Sequence, residues 1–463
     1  MKELIERIPS DKHQIRTVMN PVCESEEDED GSPPYIDKNG HLNEAIYAGI
    51  FMARHSIKCF NGRLFTPDGP ISDESMLKRE IADDIIEYVQ SGVARRVNAI
   101  LELIKMLSAE EPPKPLCDRI HVMNGTLFTD GHMKEGKEFC LNRMRVDYDP
   151  NAREPKVWLA FLKNLLYEED IPTLQEFMGY MLIPTTRAQK MLILIGKGGE
   201  GKSRIGLILR EILGDNMNIE SLSKIETNRF ARADLEYKLV MVDDDMKMEA
   251  LPQTNVIKSL VTLEDKVDIE RKGIQSTQGT LYARFACFSN GSLQALYDRS
   301  DAFYRRQIII TTKDRPKDRV DDPFLIDRLR NEKEGIFLWM FRGLQRLIAN
   351  KYSFTISERA RKNLEEAKED GNNIISFLQS EGYFEITEGA KCRSTDLYKK
   401  YETWCSDSLE KAFASKTFLH YLRENQQRLG IIYDEKVDGR YRGFHNINLH
   451  PFITASGPTP FDH

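Results

Sequence analysis

A short apolar run, Met191-Leu-Ile-Leu-Ile195, passes directly into Gly196-Lys197-Gly198-Gly199-Glu200-Gly201-Lys202-Ser203, and SRIGLILREILG follows with helical spacing. The glycine-rich octet fits GxxxxGK[ST]. Few folds accommodate this junction. A buried strand whose end curls round an anion and then opens a helix calls for a parallel sheet with helices packed on it. Gly196, Gly198, Gly199 and Gly201 let backbone N–H groups close on phosphate oxygens without a Cβ in the way. Lys202 is placed to neutralise the β- and γ-phosphates, and the Ser203 hydroxyl to ligate Mg²⁺. The expected ligands are therefore a nucleoside triphosphate and Mg²⁺.

Three later apolar runs, KLVMV (238–242), RFACFS (284–289) and RQIIITT (306–312), read as further buried parallel strands. The first ends in Asp243-Asp244-Asp245. Carboxylates at the end of a core strand beside the phosphate loop suit a metal shell and the polarisation of an attacking water. Asp243 and Asp244 are the candidates, and spacing leaves open which serves the metal. Asn290, just past the second run, offers a neutral amide that can orient water without adding negative charge. Arg305 and Arg306 precede the last strand, and with Arg299 they form a basic segment whose guanidinium can stabilise charge on a neighbouring subunit's γ-phosphate.

Composition narrows the rest. A net charge of −7 excludes a globally basic nucleic-acid binder, though a local basic channel on an acidic protein remains compatible with it. No apolar run is long enough to span a bilayer, and MKELIERIPSDKH has no signal-peptide core. The seven cysteines lie far apart with no CxxC pair, so neither a zinc cluster nor a disulfide frame is expected, and a reducing cytoplasm is the expected compartment. Residues 1–40, with six acids among 24–30, read as a flexible acidic segment, and 1–20 has the pattern of a short helix. Residues 41–180 read as mostly helical, interrupted by PPKP and by the extended pieces IHVMNGTLF and CLNRMRVDYDP. The strand-rich segment 181–350 is followed by a linker helix (351–374), a small α/β unit (375–450) and a tail (451–463). In that unit, helices are expected near 394–407 and 415–428, then two strands around a DG turn in IIYDEKVDGRYRGFHNI. Trp339 and Trp404 read as core.

Taken in order, the phosphate loop, acidic strand end, Asn after a strand and paired arginines lie within residues 196–306. This set resembles the superfamily 3 helicases of the AAA+ class, and more narrowly the phage, plasmid and poxvirus primase–helicase group. The segments HVMNGTLFTDG, RVDYDPNA, VWLAFLKNLL and LQEFMGYMLIPTTRAQ follow the layout of that group's region before the motor, while LYKKYETWC, KTFLHYL and GRYRGFHNI are similar to its terminal winged-helix domain. The resemblance implies an α/β AAA+ P-loop core, preceded by a helical collar for oligomerisation and followed by a winged helix. It implies an ATP-dependent replicative DNA helicase of a mobile element, acting as a homo-oligomeric ring, a hexamer in the group's manner, in a bacterial host's cytosol or a virus-infected cell. A replication initiator or loader that hydrolyses ATP without processive unwinding is the alternative with the same motifs.

Matched position by position, the resemblance makes Lys202 and Ser203 the Walker A pair, Asp243 and Asp244 the acidic strand end, Asn290 the sensor, and Arg306, with Arg305, the finger. It places a pore hairpin in VDIERKGIQSTQG, with Arg271 and Lys272 at the tip against DNA phosphates. Relatives carry a primase or polymerase domain before the helical region. Only about 40 residues precede it in this sequence, so priming is expected from a separate polypeptide. Residues 391–445 hold eleven basic and eight acidic side chains, which makes the last unit mildly basic. Lys411, Lys416 and Arg423, on or before its second helix, and Lys436, Arg440 and Arg442, flanking its hairpin turn, are the expected duplex contacts, Lys416 and Arg440 foremost.

Overall fold

The computed structural model describes residues 33–89, 91–246, 251, 253–262, 266–290, 301–316, 322–370, 373–408, 410 and 412–450. The acidic run at 24–30, Arg299, Lys411 and the tail from 451 lie outside the described residues. The described residues fall into two units, one formed by 33–246, 253–290 and 305–361, the other chiefly by residues from 362 onward.

In the first unit, helices Glu44–His55, Ser75–Ile85 and Val93–Leu107 pack around Phe51, Ile81 and Ile100. Beside them lies a small antiparallel sheet of β1 (Lys58–Phe60), β2 (Arg63–Thr66) and β3 (Gly69–Pro70). The helical reading of 41–108 passed over this sheet. Its signal was Asn61-Gly62, whose φ angles of 50° and 77° suit the two-residue turn that joins right-twisted strands. A second antiparallel sheet follows, with β4 (Arg119–Val122), β5 (Gly125–Phe128) and β6 (Met133–Glu135). The stretch CLNRMRVDYDP makes only a single bridge, between His121 and Arg143.

The centre of this unit is a five-stranded parallel sheet in the order β13-β7-β12-β9-β8. Its strands are β7 (Met191–Ile195), β8 (Met217–Ile219), β9 (Val240–Met246), β12 (Arg284–Ser289) and β13 (Gln307–Thr311). The four apolar runs supply four of the strands. The fifth, β8, is a three-residue edge strand whose sequence, Met-Asn-Ile, carries too little apolar pattern to announce itself. Between β9 and β12 the chain forms a separate hairpin, β10 (Val267–Arg271) with β11 (Ile274–Gly279). Helix Ser203–Leu213 buries Ile205, Ile208, Leu209 and Ile212 against the sheet, the three-and-four spacing of a single face.

Three further helices complete the core. Helix Lys156–Leu165 has no N-cap side chain of its own. Glu332 fills that role, accepting from the Val157 and Trp158 N–H groups at 3.0 and 2.9 Å. Helices Ile171–Tyr180 and Lys333–Ala349 cross at Gly179 and Gly343. A Cβ on Gly179 would lie 2.4 Å from both the Leu344 nitrogen and the Met340 oxygen, and one on Gly343 would lie 2.3 Å from the Gln175 oxygen. The approach is backbone to backbone, so only glycine permits it. Trp339 is buried here, edge-on to Trp158 with ring centroids 5.8 Å apart.

The second unit is a three-stranded antiparallel sheet in the order β14-β16-β15, covered by helices. Its strands are β14 (Phe384–Arg393), β15 (Ile432–Asp434) and β16 (Gly443–Leu449). Helices Ser394–Asp407 and Ser415–Glu424 close over a core of Phe377, Tyr401, Trp404, Phe418 and Phe444. The hairpin β15–β16 pairs Ile432 with His445 and Asp434 with Gly443 around a loop that contains Asp438-Gly439. Among the described residues of both units, no helix is long and apolar enough to cross a membrane.

Candidate functional site

Parallel strands point their C-terminal ends the same way, so whatever follows β7, β9 and β12 gathers at one edge of the sheet. The loop after β7 takes φ of +103°, +79° and +111° at Gly198, Gly199 and Gly201, a left-handed path that disfavours side chains. The Gly196 N–H is tied to the Ser289 carbonyl at the end of β12 by a 3.0 Å hydrogen bond. Helix Ser203–Leu213 starts where the loop ends.

These elements border a cavity of about 1230 Å³, larger than most small-molecule clefts. Gly198, Gly199, Gly201, Lys202, Ser203 and Asn290 all line it. Lys202 is 8% exposed, and its Nζ lies 3.0 Å from Glu200 Oε2 and 3.3 Å from Asn290 Oδ1. Helix Lys156–Leu165 also lines the cavity, through Lys156, Val157, Ala160, Phe161, Asn164 and Leu165.

The acidic triplet divides. Asp244 and Asp245 are exposed and line the cavity, with Asp244 Oδ1 3.9 Å from where a Cβ on Gly206 would sit in the loop's own helix. Asp243 is buried and does not line the cavity. Its Oδ2 accepts from the Leu222 N–H at 2.7 Å, at the start of helix Leu222–Thr227. Burial pushes its carboxyl above the usual aspartate range. Alternation turns Asp244 to the face opposite Asp243, and a register shift against β12, where Asp243 pairs with Cys287 but Met246 with Ser289, breaks the alternation before Asp245. The acid pair at the cavity is therefore Asp244 and Asp245, displaced by one residue from the pair the sequence suggested.

Arg305 and Arg306 lie at the other end of the sheet. The Arg306 carbonyl accepts from the Met191 N–H at 2.8 Å where β7 begins, and the Arg305 carbonyl accepts from the Lys190 ammonium. Neither borders the cavity. The length of β7, roughly 13 Å at about 3.3 Å per residue, separates them from the phosphate loop of their own chain.

The hairpin β10–β11 turns at Lys272-Gly273, with Gly273 at φ +73°. Lys272 is exposed at the tip. Arg271, expected beside it as a phosphate contact, instead turns back to the Glu236 carboxylate, which is 1% exposed. Glu236 also accepts from Asn61 Nδ2 at 3.0 Å, and the Asn61 amide reaches the Tyr237 hydroxyl at 2.8 Å. Arg271 thus anchors the hairpin beside its turn, and Lys272 is the one of the two presented to solvent.

In the second unit, Lys416 is exposed on the first turn of helix Ser415–Glu424. Arg440 is exposed in the β15–β16 loop, its guanidinium 5.2 Å from the Tyr441 ring centroid. Arg423 is spent internally: it stacks 3.8 Å over Tyr433 and donates to that hydroxyl at 2.7 Å.

Three residues at the cavity went unread in the sequence. Glu200 occupies a wildcard position of the motif. Asp245 was the third of three identical residues. Arg315 lies in an unpatterned segment after β13, yet its guanidinium reaches the Gly199 carbonyl at 3.5 Å.

A model described as a family of unknown function (DUF5906) matches residues 194–306, the span from β7 to the start of β13. No curated protein matches. Among solved structures, two apo structures of the NrS-1 C-terminal region align at 14% identity and TM-score 0.47, covering 85% and 86% of this chain and 90% and 92% of theirs. A third aligns at 12% identity and TM-score 0.45, over 88% of this chain and 100% of that one.

Proposed function

We propose that this chain is the subunit of an NTP-hydrolysing ring that translocates on DNA. One observation carries the reading. Lys202, Ser203, Asp244 and Asn290 converge on one cavity at one end of a parallel sheet, while Arg305 and Arg306 emerge at the other end. A finger arginine so placed serves a neighbour's cavity rather than its own, which makes the functional unit an assembly.

In this reading Lys202 takes the negative charge of the β- and γ-phosphates, and the loop N–H groups fix their orientation. The Ser203 hydroxyl and the Asp244 carboxylate are the oxygen donors that would hold Mg²⁺, which screens phosphate charge when bound. Asp245 remains beside the same space to accept a proton from water, and Asn290 orients that water by hydrogen bonding. Lys272 at the hairpin tip carries the contact to a DNA phosphate, a sequence-independent and salt-sensitive interaction. The helices of 41–108 act as the collar, and the second unit, in the manner of a winged helix, docks on duplex through Lys416 and Arg440.

The test is MgATP hydrolysis and strand displacement on a forked DNA, with the native chain and Lys202→Ala. Hydrolysis by the native chain, stimulated by DNA and abolished in the variant, is the expected result. A cooperatively folded native chain that neither binds nor hydrolyses any NTP would refute the proposal.

A further inference from the structure

The phosphate loop carries an internal anion. Glu200 lies between Gly199 and Gly201 and is 2% exposed. Its Oε2 is 3.0 Å from Lys202 Nζ, and its Oε1 accepts the Lys197 N–H. An ammonium and a loop N–H are the two kinds of donor that a bound phosphate requires. Burial alone would raise the Glu200 carboxyl, but the bonds from Lys202 and the loop outweigh it and hold the group below its ordinary range. The residue is therefore an anion at neutral pH. Gly196 lies in the same knot, since a Cβ there would fall 2.6 Å from Lys202 Nζ and 2.9 Å from the Glu200 carboxyl carbon.

We propose that Glu200 is a positioning residue that stands in for a phosphate in the nucleotide-free subunit, holding Lys202 and the loop until nucleotide displaces it. This rests on the reading of the cavity as an NTP site and adds a step to it. Entry of nucleotide transfers both donors from the carboxylate to phosphate oxygens, and the carboxylate must withdraw or remain as a like charge nearby. Nucleotide affinity is accordingly held down by Glu200, and subunits that release product return to a closed, ordered loop rather than a loose one. For a motor that must empty each site before refilling it, this favours turnover over tight holding.

The experiment compares binding of a fluorescent ADP analogue, with Mg²⁺, to the native chain, Glu200→Gln and Glu200→Ala, together with kcat and KM for ATP. Removing one like charge at contact range in a partly solvated loop is worth on the order of tenfold in affinity. The expected result is therefore a dissociation constant about tenfold lower in Glu200→Gln. KM should fall with it, and kcat should change by less than KM does. Thermal melting supplies a second readout. Without nucleotide, Glu200→Gln should melt below the native chain, because Lys202 loses its partner. Added nucleotide should then raise its melting temperature by more than it raises the native one. A purely structural glutamate would lower melting without tightening binding, and that outcome overturns the proposal. If Glu200→Gln does not fold, Glu200→Ala, which also removes the charge, must bind nucleotide more tightly than native, and unchanged affinity overturns the proposal. A native chain that binds no nucleotide refutes the NTP reading itself, and this inference falls with it. Native binding with unchanged Glu200 variants refutes Glu200's role alone.

Discussion

Arg271 and Lys272 are neighbours at a hairpin turn, and on sequence they are interchangeable. Their structural surroundings predict opposite consequences when each is cut to alanine. The Glu236 carboxylate is 1% exposed and meets the Arg271 guanidinium and the Asn61 amide. Removing one partner of a buried ion pair costs about 3–5 kcal/mol, because the remaining charge is left without compensation. Two features reduce this. The Arg271 side chain is 17% exposed, and Glu236 keeps the 3.0 Å hydrogen bond from Asn61. A loss of about 2–3 kcal/mol is therefore expected for Arg271→Ala. Lys272→Ala removes an exposed tip side chain and should stay within about 0.5 kcal/mol of native. The assay is urea unfolding followed by far-UV circular dichroism, with midpoints compared at a common slope, alongside ATP hydrolysis with and without single-stranded DNA. Lys272→Ala should lose DNA stimulation and keep basal hydrolysis. Arg271→Ala should lose stability first, and Glu236→Gln should recover part of it by removing the stranded charge. Native stability in Arg271→Ala combined with lost DNA stimulation would refute the assignment of Arg271 as the hairpin's anchor.

Asp244→Asn should reduce Mg²⁺-dependent hydrolysis by roughly 100-fold or more, as loss of a carboxylate at the reacting centre does, whereas Asp243→Asn should retain most activity. Burial raises the Asp243 carboxyl above its ordinary 3.8, so the folded state holds that proton more tightly and the stability it contributes declines as pH rises from 3.8 through the raised value. Asp243→Asn should flatten that part of the pH–stability curve, and an unchanged curve would contradict it. Gly179→Ala sets a methyl 2.4 Å from two backbone atoms of the facing helix and should destabilise the first unit by about 3 kcal/mol or prevent its folding, measured by the same urea titration. Arg306→Ala mixed into native chain should depress hydrolysis by more than its share of subunits, and a linear decline with mixing ratio would place the arginine outside a shared site.

The sequence could specify what is encoded over short distances along the chain. A strand that runs into GKGGEGKS and on into a helix is a local event, because the glycines set the φ angles and the apolar spacing sets the faces. The strands of the parallel sheet other than β8, the buried tryptophans and the paired strands near Asp438-Gly439 were legible for that reason, while the turn at Lys272-Gly273 was expected from the family resemblance. Asn61-Gly62 was equally legible and was overlooked within a helical stretch. Partner choice is a different kind of fact. Asp243 caps a helix while Asp244 faces the cavity because one pleat of β9 turns them apart. Arg271 reaches Glu236 thirty-five residues away, and Glu332 caps a helix that starts at Lys156. Glu200 takes hold of Lys202 only because the loop folds back on itself. Arg305 and Arg306 are far from their own phosphate loop because β13 runs parallel to β7. Backbone conformation follows from neighbours in sequence, but the pairing of charges depends on which surfaces the tertiary structure buries against each other.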